Sequence, residues 1–155
     1  MRVLVACEFS GIVRDAFTKR GHDAWSCDLL PTERPGQHIQ GDVLQHLTDG
    51  WDMMIAHPPC TYLSYAATSS WNNPGRVYKR LDALMFFARL WESDIEKICI
   101  ENPKGCASPT VAKYSQVIQP FYFGDCEYKT TWLWLKNLTP LVHAANDTLF
   151  EMATH

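Results

Sequence analysis

Two residues carry the strongest suggestion of chemistry in this chain. Cys60 follows Pro58 and Pro59, and Glu101 opens the run Glu101-Asn102-Pro103. A free cysteine has a pKa of about 8.5 and is mostly thiol at neutral pH, so a nucleophilic one needs an activating site. Two prolines restrict the backbone and end a strand sharply, projecting the residue that follows them. If Glu101 ends the neighbouring strand, a thiol and a carboxyl stand around one small ligand. Such a pair suits cytosine, whose C5 is a poor nucleophile until a thiolate adds at C6. A hydrogen bond at N3 would stabilise the developing charge, and C5 would then accept a methyl group from a sulfonium. To donate that hydrogen bond Glu101 must be protonated, so burial is expected to raise its pKa.

A second set points to the methyl donor. The turn Glu8-Phe9-Ser10-Gly11 lets backbone approach a ligand closely. Asp28 follows Gly11 by 17 residues, close to the ~20 expected for an acid that binds ribose hydroxyls. Asp42 is suited to accept from an adenine amine. Singly, each acid reads equally well as an ordinary strand-end carboxylate; their order along the chain describes an adenosine pocket. The full G-x-G-x-x-G of a dinucleotide site is absent. The expected cofactor is S-adenosylmethionine, held by Glu8, Phe9, Ser10, Gly11, Asp28, Asp42 and Pro58. Cys7, Cys27, Cys99, Cys106 and Cys126 read as structural thiols. No C-x2-C pair occurs, and no metal site is expected.

The elements that must position these groups alternate. The apolar run 2–6 predicts a buried strand, and 12–20 a helix with Ser10 as N-cap and Gly21 as stop. A strand over 24–27 ends on Asp28, and 31–40 is loop by its Pro and Gly content. A short helix or turn after 43 precedes a strand over 51–56. A long polar loop, 61–75, is a candidate for function. Then come a helix over 77–91, a strand over 97–100 ending at Glu101, a helix near 109–118, and strands near 120–124 and 130–135. This alternation predicts one α/β domain, a mostly parallel sheet with helices on both faces. Ligands in such sheets bind beyond the carboxyl ends of the strands. Glu8, Asp28, Asp42, Cys60 and Glu101 all fall there.

At 155 residues the chain is one domain by length, 46% hydrophobic and 20% charged. It shows neither a run of apolar residues long enough to span a membrane nor a signal peptide, and the cytoplasm is the expected location. The net charge is −3, with five Lys/Arg against eight Asp/Glu in residues 1–70 and nine against seven in residues 71–136. Any nucleic-acid face is therefore expected in the second half, and small.

These residues resemble the cytosine-C5 DNA methyltransferase family, especially its short phage-type members. Phe9-Ser10-Gly11 resembles the family's first cofactor motif, with Val13 where the family prefers a second glycine. Asp28 and Asp42 stand where it has ribose- and adenine-binding acids. Pro59-Cys60-Thr61-Tyr62-Leu63-Ser64 is similar to its nucleophile motif, and Glu101-Asn102-Pro103 to its Glu-Asn-Val motif. Lys129-Thr130-Thr131 matches loosely an arginine-bearing segment near the target base. The resemblance spans roughly 3–136 and implies a single-domain Rossmann-like methyltransferase over 1–136, with 137–155 as a tail. It implies Cys60 and Glu101 as the catalytic pair, Asn102 as their support, and DNA as the substrate. The family's target-recognition domain and the C-terminal helix beside the first motif find no counterpart.

Ser64, Arg76, Asn102, Lys129 and Thr131 make up the expected substrate contacts. The stretch 61–80, with Trp71, Asn72, Asn73, Arg76, Tyr78, Lys79 and Arg80, suits stacking and phosphate contacts with a strand. It reads equally as a solvated loop and helix start. Three other readings stay open. RNA or a free cytosine nucleotide would serve as substrate in place of DNA. His57-Pro58-Pro59-Cys60 is similar to the Asp/Asn-Pro-Pro-aromatic motif of exocyclic amino methyltransferases, with both end residues changed. The chain would otherwise bind cofactor or a protein partner without doing chemistry.

Overall fold

The computed structural model describes residues 1–65, 70–119 and 129–142. Its centre is β1 (Arg2–Ala6), whose last four residues are fully buried. Side chains alternate across a strand, so this one apolar run supplies both faces of the sheet. Val3 and Val5 pack with Val13 and Phe17 of α1 (Ile12–Lys19). Leu4 and Ala6 join the opposite cluster with Phe87 and Leu90 of α2 (Pro74–Trp91). Helices thus cover both faces.

Around β1 lie β2 (Asp23–Asp28), β3 (His38–Gln40), β4 (Met53–Ala56), β5 (Lys97–Pro103), β6 (Gln116–Ile118) and β7 (Thr131–Lys136). The order is β3-β2-β1-β4-β5-β7-β6 among the described residues. The first five are mutually parallel; β7 runs antiparallel to both β5 and β6. This is a mixed α/β fold of Rossmann-like topology. Chain order reverses between β1 and β4, the switch point where such sheets open a crevice. No helix among the described residues is long and apolar enough to cross a membrane.

Several expectations are corrected. His38–Gln40 is a strand, not loop, because its backbone completes β2's outer edge. β5 runs past Glu101 to Pro103, since β7 continues to pair with it after β4 has ended. α2 starts at Pro74 rather than 77, with Asn73 as N-cap accepting from the Gly75 N–H at 3.1 Å and proline at the first helical position. The helix expected near 109–118 is only the turn α3 (Ala107–Thr110). Pro109 pushes Ser108 to an extended conformation, and 116–118 is drawn into the sheet as β6. The expected strand near 120–124 lies outside the described residues, as do Cys126 and 143–155 of the expected tail.

One buried charge fixes the crevice wall. Arg14 of α1 is 1% exposed. Its guanidinium meets the Asp15 carboxylate, the Ser26 and Thr32 hydroxyls, and the carbonyls of Arg34 and Pro35. It thereby pins the loop after β2 to the first helix. A Cβ at Gly36 would stand 2.6 Å from that guanidinium. Arg14→Met would remove the one donor that links the buried Ser26 hydroxyl to Asp15 and to the carbonyls of the loop after β2. It is expected to cost about 2–4 kcal/mol and to lower Tm by roughly 5–15 °C. Thermal denaturation measures it, and an unchanged Tm would contradict the bracing role.

Candidate active site

Parallel pairing of β4 with β5 ends at Ala56 and Ile100. The next residue on each strand is His57 and Glu101, and they meet: His57 Nδ1 lies 2.6 Å from Glu101 Oε2. One step further, the Asn102 amide donates to the Pro58 carbonyl at 2.8 Å. These successive links hold the Pro58-Pro59-Cys60 turn against β5. The turn's far side is held as well. Leu63 and Ser64 N–H groups donate to the Cys60 carbonyl at 3.1 and 2.9 Å, Ser64 bridges Gly105, and Cys106 N–H donates to the Leu63 carbonyl at 2.9 Å. A Cβ at Gly105 would lie 2.1 Å from the Leu63 oxygen, so only glycine allows this approach.

The ionisation of Glu101 differs from expectation. Its hydrogen bond with His57, helped by the positive charges of His57 and Lys129, holds the carboxyl below its ordinary value. Burial does act upward, as the sequence suggests, but it is outweighed. The other described cysteines are driven toward thiol. Burial pushes Cys7 and Cys99 up to about 12 and Cys27 to about 11, with neighbouring carboxylates adding to each, and Cys106 is raised as well.

On the other side of the switch point a cavity of about 430 Å³ opens at the ends of β1 and β2, within the usual range for small-molecule sites. Asp28 and Asp42 line it together with Cys7, Leu29, Pro59 and Phe86. Asp28 accepts from the Leu30 N–H at 2.9 Å and Asp42 from the Leu44 N–H at 3.0 Å. Each uses one oxygen in this way. A second cavity of about 320 Å³ adjoins at Cys7 and is lined by Glu8, Phe9, Ser10, Ile12, Val13 and His57. The two cavities share Cys7, with the strand-end acids lining the first and His57 the second.

The sequence-predicted residues therefore divide. Asp28 and Asp42 share one cavity, and Glu8, Phe9 and Ser10 share the other. Both Glu8 oxygens, however, accept from the Val13 and Arg14 N–H groups at 3.1 and 3.2 Å, capping α1. Gly11, at φ 79°, is the N-cap in place of Ser10, which accepts from the Ile12 N–H at 3.3 Å. Pro59 lines the first cavity, whereas Pro58 is buried. Cys60 is partly exposed one residue beyond that wall and lines neither cavity. Asn102 is 2% exposed, beneath the turn. Arg76 donates to the Thr61 carbonyl at 2.8 Å. Ser64 sits in the bridge to Gly105. Lys129 is exposed within electrostatic reach of Glu101, and Thr131 is buried in β7. Cys7, read as a strand thiol, instead stands just past β1 at φ 59° and joins the two cavities.

Sequence reasoning assigned His57 no part beside Glu101. The available signal was register, since each residue is the first beyond an apolar run. No protein-family model matches the chain, and no curated protein matches it significantly.

Because Glu101 is depressed in the folded state, its contribution to stability is complete above the unfolded carboxyl value of about 4.3. It is lost as pH falls through the lower folded value. The stability gap between wild type and Glu101→Gln is therefore expected to be widest above about pH 5 and to close in the acid range. Urea titrations at a series of pH values measure it. A gap that grows on acidification would contradict the assignment.

Proposed function

We propose that this chain is an S-adenosylmethionine-dependent methyltransferase that acts on C5 of cytosine in DNA through a covalent adduct at Cys60. The observation that carries this reading is the pair of cross-links His57–Glu101 and Pro58–Asn102, which fixes a Pro-Pro-Cys turn beside a carboxylate. The neighbouring 430 Å³ cavity supports the cofactor assignment. Its walls are mainly apolar, and two carboxylates at the ends of adjacent strands suit the hydroxyls and amine of an adenosine. Asp28, Asp42, Leu29, Pro59 and Phe86 would hold that group, and the bound sulfonium would supply an electrophilic methyl.

The low pKa of Glu101 changes how the ring is assisted. An ionised carboxylate accepts rather than donates, so the proton for N3 is assigned to the His57–Glu101 pair as a unit. Cys60 thiolate adds to C6 while the pair gives its shared proton to N3. C5 would take the methyl as the donor sulfur leaves as a neutral thioether, solvent water would accept the C5 proton, and the C6–S bond would break to restore Cys60 thiolate as N3 returns its proton to the pair. His57 is held through Nδ1, and its buried Nε2 has no partner among the described residues.

Cofactor binding without chemistry is a second reading, favoured by the engagement of Glu101 with His57. Amino-group transfer is weakened by the same contact, because the residue at the acceptor position is turned to a carboxylate.

An oligonucleotide carrying 5-fluorocytosine, which has no C5 proton to lose, is expected to trap a Cys60 adduct visible by mass spectrometry in the presence of cofactor. Cys60→Ser is expected to abolish the adduct and reduce transfer by at least about 10³-fold. A protein that binds cofactor yet forms no adduct would sink the C5 mechanism in favour of the second reading. Asp28→Ala is expected to weaken cofactor binding by roughly 10- to 100-fold by calorimetry. Undiminished affinity would remove the adenosine pocket.

A further inference from the structure

The turn bearing Cys60 is flanked by aromatic rings and cations that the proposed chemistry does not use. Arg76 and Lys79, on the first turns of α2, stand 5.2 and 5.3 Å from the centre of the Tyr62 ring. Arg80 lies 4.0 Å above the Trp71 ring and donates to the Trp71 carbonyl at 2.8 Å. Trp71 in turn sits 5.4 Å from Tyr65, which is 41% exposed. Two groups, Tyr62 with Arg76 and Lys79, and Trp71 with Arg80 and Tyr65, therefore place three rings and three cations on the segment and helix that follow Cys60. Exposed Lys104 lies beside Tyr65, whose N–H donates to the Lys104 carbonyl at 3.2 Å, and exposed Lys129 lies toward Glu101. Among the described residues, the acids carried by these elements are Glu101, bound to His57, and Asp82 on α2.

We propose that this surface docks single-stranded nucleic acid and presents an unpaired cytosine to Cys60. As a statement about substrate it rests on the methyl-transfer reading; as a statement about binding it does not. A guanidinium over a ring covers one face and keeps most of its N–H donors for phosphate. Aromatic rings accept any base by stacking, and interleaved cations follow the backbone between bases. The whole chain carries −3, so the broad face of a duplex gains little from it, while a strand needs only this narrow basic track. A single strand also avoids the cost of extruding a base from a duplex. A free nucleotide has one phosphate group and would leave most of the track unused.

The competing structural role is a staple that ties the loop to α2, and the test separates the two. Fluorescence anisotropy is measured on the full chain with a labelled cytosine-containing single-stranded DNA, the same sequence as RNA, and its duplex, with dCMP as competitor. Single strands are expected to bind at least tenfold more tightly than duplex. Three phosphate contacts give a log–log salt slope of about −2, and Lys79→Ala should reduce its magnitude by about 0.7. Tyr65→Ala should weaken binding about five- to a hundredfold through lost stacking. A lowered Tm in these variants with strand affinity and salt slope unchanged would identify a staple and overturn the proposal. So would equal or tighter duplex binding, or displacement of the strand by dCMP at comparable concentration. RNA bound in preference to DNA keeps the platform and reassigns the polymer. Strand binding as described, without any adduct on 5-fluorocytosine, would keep the platform and reject the methyl-transfer reading alone.

Discussion

Pro58 and Pro59 have no N–H to offer, so backbone pairing between β4 and β5 cannot continue into the turn that carries Cys60. Side chains take over where the ladder stops. Glu101 receives His57, and Asn102 donates to the Pro58 carbonyl, an oxygen that would otherwise be buried without a partner. The far side is closed by Gly105, whose missing side chain lets Leu63 press against it. A turn that prolines make stiff and unable to pair is thus held at both ends by groups outside it. The position of Cys60 follows from that constraint.

The same contact decides the electrostatics. Without His57, a half-buried Glu101 would be expected to drift toward its neutral form. With His57 at 2.6 Å and Lys129 nearby, the charged form wins. On the proposed chemistry this makes proton donation a property of two residues, and it ties a catalytic function to the hydrogen bond that also locks the turn. Loss of either residue would then disturb position and proton together.

The sheet and the strand-end acids were legible because each depends on local pattern. Apolar runs ended at polar residues, and β1, buried on both faces, read as a continuous aliphatic stretch. β3 was not legible: His38-Ile39-Gln40 has no apolar run of its own and is a strand only because β2 offers an edge. The stretch after Pro109 read as helix by composition, but its residues 116–118 pair antiparallel with β7, a tertiary contact that local composition does not reveal. The pKa of Glu101 was misread for a related reason. Burial is visible in sequence, whereas the partner that opposes it comes from another strand 44 residues away. The roles of Glu8 and Pro58 needed coordinates to separate a group that lines a cavity from one that braces its wall.

Charge is distributed around the switch point in a way that bears on both ligands. The ends of β1, β2 and β3 carry Glu8, Asp28 and Asp42, while the loop and helix beyond Cys60 carry Arg76, Lys79 and Arg80. A cationic sulfonium favours the first side and a polyanion the second. Cys7 lines the cavities on both sides of this boundary, with Pro59 in one wall and His57 in the other. The boundary lies at the reversal between β1 and β4, where neighbouring strand ends diverge and leave room for a ligand. An overall charge of −3 therefore weighs against a broad nucleic-acid face but is compatible with a narrow one, because Arg76, Lys79 and Arg80 are carried by a different element from Glu8, Asp28 and Asp42.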